Sequence, residues 1–217
     1  MSGGTERLID GLLEDLEPVR PLPRLRTAFA VVLSTWTAVL GLVLWSQDSV
    51  PGATLVLVDR VYLVSFLGLI AASAGATLSS LAASRPGRER VETLGLLVTV
   101  AGLSVAALVC VIGILALGAT APSPPGADRM CFEKGAFLSL LPAGVILSFL
   151  VRGWSAHPIR AALVGMLAAG ALGAVIVHLS CGVVAPSHLM KGHMSVPLAL
   201  ALVAAYPLGA LLKRLRG

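Results

Sequence analysis

The sequence predicts an all-α integral membrane protein: a six-transmembrane-helix bundle with a short amphipathic N-terminal cytoplasmic helix. Three observations lead there. Hydrophobic residues make up 57% of the 217 and charged residues only 12%, about half the share found in a soluble domain. The apolar residues fall into six uninterrupted runs, and a bilayer crossing takes about 20 residues. Five of the 11 carboxylates are packed into a short stretch ahead of the first run. Six spans and their connections consume nearly the whole chain, which leaves no room for a separate soluble catalytic domain.

The chain divides into a cytoplasmic segment, residues 1–26, and a transmembrane domain, residues 27–213. In the first, Leu8, Ile9, Leu12, Leu13, Leu16 and Val19 fall on one helical stripe. Thr5 is the expected N-cap, and Glu6 suits the positive end of the helix dipole. Pro18, Pro21 and Pro23 stop the helix and form a stiff connector to the membrane. The opposite face carries Glu6, Asp10, Glu14, Asp15 and Glu17 against Arg7. A helix meant to lie on the negative inner leaflet would be basic. This one is shaped to lay its leucine stripe into a groove on a basic partner. The alternative is that it folds back on its own bundle, against Arg85, Arg88 and Arg90. The first apolar run follows this acidic stretch and ends in no small-residue cleavage site, so a removable signal peptide is not expected.

The spans are expected at Thr27–Trp45, Val61–Ala83, Thr93–Leu117, Gly135–Val151, Ile159–Ser180 and Met194–Leu212. Only Arg160, at the start of the fifth, puts a charge in any of them. Twelve Lys and Arg fall in the N-terminal segment, the second-to-third and fourth-to-fifth connections and the C-terminus. Four fall on the other side: Arg60, Arg129, Lys134 and Lys191. That bias places both chain ends in the cytoplasm. It also explains the net charge of +5, since the cations sit at helix ends and lack the aromatic interleaving that stacks bases. Direct nucleic-acid binding is not expected. Gly68, Ala72 and Ala76 in the second span, and Gly165, Ala169 and Gly173 in the fifth, form small faces for close helix packing. Pro158 and Pro197 suit first-turn positions, and Pro207 should kink the sixth span. Pro142 lies in the short fourth span, and Ala121–Gly126 reads as an outer loop.

Of the three cysteines, Cys110 reads as a small core residue among Val and Ile. Cys131, in Met130-Cys131-Phe132-Glu133, is expected in the third outer loop, and Cys181 closes the fifth span. Both face the periplasmic, oxidising side, where a pair reads first as a disulfide. Histidines supply a second reading. His178 lies three residues before Cys181, and His188 and His193 follow in the same expected outer loop. With Glu133 they gather thiolate, imidazole and carboxylate donors on one face, a set that suits Zn²⁺, Cd²⁺ or copper ions. A redox- or metal-responsive thiol pair, a structural disulfide and unrelated residues all stay open. His157, before Pro158 on the cytoplasmic side, reads as a solvated loop residue. No span holds a buried carboxylate or lysine of the kind proton-coupled carriers use. Cys-x-x-Cys, Walker and His-Glu-x-x-His motifs are absent from the sequence. An enzyme is not expected.

The run from Leu8 to Pro23, the cysteine at 131, and His178-Leu179-Ser180-Cys181 followed by His188 and His193 resemble the NrsF family. That family comprises six-span membrane anti-sigma factors, and the resemblance covers essentially the whole chain. It implies a bacterial inner-membrane protein whose N-terminal segment sequesters an extracytoplasmic-function (ECF) sigma factor. It also implies that Cys131 and Cys181 take part in sensing or in the stability of the sensing state, with heavy-metal or oxidative stress as the signal class. Two other readings belong to different classes. One is a small metal-ion or metabolite transporter using the outer His/Cys cluster as its mouth; the other is a structural subunit of a membrane complex.

Overall fold

The computed structural model describes residues 22–47, 49–117 and 123–215; the expected amphipathic head, residues 5–20, lies outside them. Among the described residues the protein is all helical. The elements are α1 (Leu25–Trp45), α2 (Pro51–Val58), α3 (Arg60–Ala83), α4 (Glu89–Leu117), α5 (Ala127–Leu138), α6 (Leu140–Arg152), α7 (Pro158–Ser180), α8 (Pro186–His188), a π-helical turn (Leu189–Met194) and α9 (Ser195–Arg214). Six helices are long and apolar enough to cross a membrane: α1, α3, α4, the α5–α6 pair, α7, and α8 through α9. The short α2 was expected as a connection.

The bundle is built around α7, whose apolar window is 83% buried, against 17% for α1. Its sequence explains the position. Alternating Gly and Ala leave little beyond backbone thickness, so neighbours close in on several sides. Gly165 meets Ile146 and Leu150 of α6, Gly173 meets Gly135 and Ser139, and Gly170 meets Pro197 of α9. Gly165 and Gly173 of the expected small face are therefore contact positions, and Gly170, which was not part of that face, adds the approach to α9. Trp36 ties the loosely held α1 to this axis, its indole N–H donating to the Leu172 carbonyl at 3.0 Å.

A second close approach joins α3 to α4. Gly68 and Gly75 on α3 interlock with Gly102 and Gly95 on α4, and a Cβ at Gly75 would lie 2.6 Å from the Gly95 carbonyl oxygen. Gly68 and Ala72 were anticipated in this role, whereas the seven-residue glycine spacing on both helices was not. Fully buried Ala76 instead joins the core around α6 and α7.

The span boundaries differ most on the outer side. The fourth and sixth spans begin about two turns before their apolar runs, at Ala127 and Pro186. Cys131, expected in a loop, lies on helix α5; His188 and His193, also expected in a loop, lie on α8 and the π-helical turn. The fourth span breaks at Ser139, three residues before Pro142, whose ring would clash with the Leu138 carbonyl in a continuous helix. Pro158 opens α7 as expected. Pro197 is the third residue of α9, in its first turn as expected, and Pro207 lies inside α9. On the opposite side, the Arg85 guanidinium donates to the Pro23 carbonyl at 3.2 Å, and Arg160 pairs with Glu92 at 2.5 Å.

The α3–α4 contact makes a paired test. Gly75→Ala should destabilise the protein in detergent by about 1–3 kcal/mol, since backbone atoms cannot yield to the new methyl. Gly144, whose Cβ would meet nothing within 4 Å, should accept Ala without loss. Thermal unfolding of the two variants beside the wild type measures both.

Candidate functional site

Four elements converge on the outer end of α7. A helix end leaves its last carbonyls without intrahelical partners, and here Tyr62 of α3 supplies one. Its hydroxyl donates to the carbonyls of His178, at 2.5 Å, and Cys181, at 2.8 Å. The chain leaves α7 after Ser180 with Cys181 extended, at φ −94° and ψ 134°. That turns the Cys181 thiol toward α5 and the beginning of the sixth span.

There it meets Cys131, with the two sulfurs 3.6 Å apart, and His188, whose Nε2 lies 3.3 Å from Cys181 Sγ. One donor atom each from Cys131, Cys181, His188 and His193 fit within 4.8 Å of one another. His188 and His193 are five residues apart, which in an α-helix would separate them by roughly 140°. The π-helical turn between them brings both rings to the same cluster, with centroids 5.1 Å apart. Such turns are frequent at functional sites.

The hydrogen-bond partners assign the imidazole nitrogens. His188 Nδ1 lies 2.6 Å from an Asp128 carboxylate oxygen, an acceptor, so Nδ1 carries the proton and Nε2 faces the thiols. His178 Nε2 lies 3.1 Å from the Tyr62 carbonyl, which again can only accept. In a neutral imidazole the other nitrogen is then bare, so His178 Nδ1 accepts from His193 Nδ1 at 2.9 Å. That leaves His193 Nε2 as a lone pair, buried and without a hydrogen-bond partner among the described residues. All three rings are fully buried. The Cys181 thiol is held below its ordinary value by the hydrogen bond from Cys131 foremost, and burial opposes this.

A Cys₂His₂ cluster with one lone pair unsatisfied fits a tetrahedral thiophilic cation. With metal–sulfur bonds of about 2.3 Å, the sulfur–sulfur edge of such a tetrahedron is about 3.7 Å, close to the separation found. A disulfide needs about 2.0 Å. Cys131 and Cys181 are free thiols, so the structural disulfide expected first is not formed. Histidine ligands are usually held by an acceptor on the far nitrogen, the place taken here by Asp128 and by His178.

The structure thus joins four of the five expected metal-ligating residues, Cys131, Cys181, His188 and His193. It sets the fifth, His178, one layer behind His193. Glu133 points away and pairs with exposed Arg129 at 2.7 Å. Asp128 was missed. Read as helix, the stretch puts Asp128 three residues before Cys131 and on the same face, a signal hidden by treating it as loop. Cys110 is fully buried beside Tyr62 and Leu189, as expected of a core residue, and His157 is exposed ahead of α7. Leu8, Ile9, Asp10, Leu12, Leu13, Glu14, Asp15, Leu16 and Val19, expected to bind a partner, lie outside the described residues.

A family model described as NrsF, negative regulator of sigma F, matches residues 12–215 of the chain. No curated protein and no solved structure matches it.

The thiol geometry can be checked chemically. In the folded protein a maleimide should modify Cys131 first and leave Cys110 untouched until denaturation. Diamide, which takes up the two electrons and two protons, should join Cys131 to Cys181 within one chain. Labelling of Cys110 before unfolding, or crosslinks only between chains, would contradict the arrangement.

Proposed function

The chain belongs to the NrsF family and is a negative regulator of a sigma factor; on that premise we propose that it sequesters an ECF sigma factor at the bacterial inner membrane and releases it on a periplasmic signal. The amphipathic head, residues 5–20, is the sequestering element. Its Leu8, Leu12 and Leu16 stripe covers apolar surface on the sigma factor, and Asp10, Glu14 and Asp15 answer the basic side chains around it. The six spans lie in the bilayer with both ends in the cytoplasm. The twelve-to-four Lys/Arg bias supports that orientation, and apolar side chains exposed on the bundle surface, such as Leu115, Leu202 and Val203, support lipid contact.

One observation carries the sensing role: the buried, partnerless Nε2 of His193 beside two thiols and His188. We assign to Cys131, Cys181, His188 and His193 the binding of one thiophilic divalent ion, zinc- or cadmium-like. The residues would hold it as two thiolates and two imidazoles, with both thiol protons released to solvent. The cluster joins α5, the end of α7 and the start of the sixth span. A change in its ligation state therefore alters how three of the spans are tied together. That change loosens the bundle and frees the head, or exposes it to proteolysis. The transporter reading draws no support from the spans, which place no buried Lys, Asp or Glu along a path through the core.

Leu12→Asp with Leu16→Asp should abolish co-purification of the sigma factor while the protein still inserts in the membrane; retained binding would sink the role of the head. In cells, Cys131→Ser with Cys181→Ser should change basal or metal-induced transcription of the sigma-dependent genes. A reporter that still responds as in the wild type removes the thiols from sensing.

A further inference from the structure

We infer that His178 is a positioning residue: it holds His193 in the one tautomer that presents Nε2 to the ion, and it anchors that histidine to the first turn of α3. The inference rests on the metal-binding reading proposed above and deepens it.

His193 enters the cluster from the π-helical turn, and nothing on its own element orients the ring. Its Nδ1 reaches only His178 Nδ1, at 2.9 Å, while Nε2 has no partner. A free imidazole is able to carry its proton on either nitrogen, and with the proton on Nε2 it ligates nothing in the cluster. His178 decides between the two. Its Nε2 is committed to the Tyr62 carbonyl at 3.1 Å, with Ser65 Oγ nearby at 3.5 Å, so its Nδ1 has only a lone pair to offer. A lone pair at that position requires a proton on His193 Nδ1.

His178 is itself over-determined. It is fully buried, its ring packs against Tyr62 with centroids 4.0 Å apart and against Phe66 at 5.7 Å, and its carbonyl accepts from the Tyr62 hydroxyl. Asp128 performs the same service for His188 from α5. The two ligating histidines are thus oriented through different helices: one by an exposed-side carboxylate, the other by a buried histidine rooted on α3. Ligation by His193 is in this way tied to α3, which contributes no ligand of its own.

The test uses the full-length protein in detergent, reduced and metal-free, titrated with Co²⁺ under anaerobic conditions. Thiolate-to-cobalt charge-transfer and d–d bands report sulfur and tetrahedral nitrogen ligation separately. The wild type should bind one ion. His178→Leu removes the acceptor and should weaken binding by about 10–100-fold, with shifted d–d bands as His193 is lost and the thiolate band retained. His178→Asn places an amide oxygen near the position of Nδ1 and should restore affinity to within a few-fold of wild type, along with its spectrum. Monodispersity and helical content of each variant separate loss of fold from loss of orientation. Wild-type affinity in His178→Leu would overturn the positioning role and leave the metal reading standing. Equal weakening in Leu and Asn would overturn it as well, because ring volume and not the acceptor would then matter. Absence of cobalt bands in the wild type would overturn the metal reading itself.

Discussion

Everything in the bundle depends on how thin α7 is. Helices pack at a distance set by the side chains between them, and α7 concentrates glycine and alanine between Ala161 and Ala174. Gly165, Gly170 and Gly173 each touch a different neighbour or a different part of one. With no water to drive association of apolar helices in lipid, this close contact is the main attraction available. It makes α7 the axis that α3, α6 and α9 share, and it puts the end of α7 where all the outer elements must meet.

At that end, polar groups sit among apolar helices and have to be satisfied within the protein. Tyr62 caps the last carbonyls of α7, Asp128 takes one proton of His188, and His178 takes that of His193. Among the described residues the network closes everywhere except at His193 Nε2. That one unsatisfied lone pair, beside two thiols, is the feature on which the proposed metal site rests. The same network ties together α3, α5, α7 and the π-helical turn, and this is why the proposed ligation would bear on the packing of that end of the bundle.

At the far side, Arg85 grips the backbone at Pro23, and α1 follows with little of its surface buried. The first span is thus the one least held by the bundle, tethered by Trp36 to the middle of the axis. A helix packed this loosely shifts at small energetic cost.

The sequence alone determined the six helices long and apolar enough to cross a membrane, since apolar runs of that length are a local property and need no knowledge of neighbours. The Lys and Arg bias behind the proposed orientation is likewise read along the chain, without a fold. The tertiary structure decided what Cys131 and Cys181 meet: each other and His188. Asp128, Arg129, Glu133 and Lys134 looked like loop, yet they lie on helix, because packing against α7 stabilises a polar turn that hydropathy does not reward. Once that stretch is helical, phase brings Asp128 to the cluster and turns Glu133 away. His178 looked like a ligand by its three-residue spacing from Cys181. The helix ends between them, so the spacing no longer implies a shared face, and His178 meets His193 instead. A π-helical turn then aligned His188 with His193. Residue spacing foretells a shared face only within an unbroken regular helix, and this site is assembled where the helices end, break and change pitch.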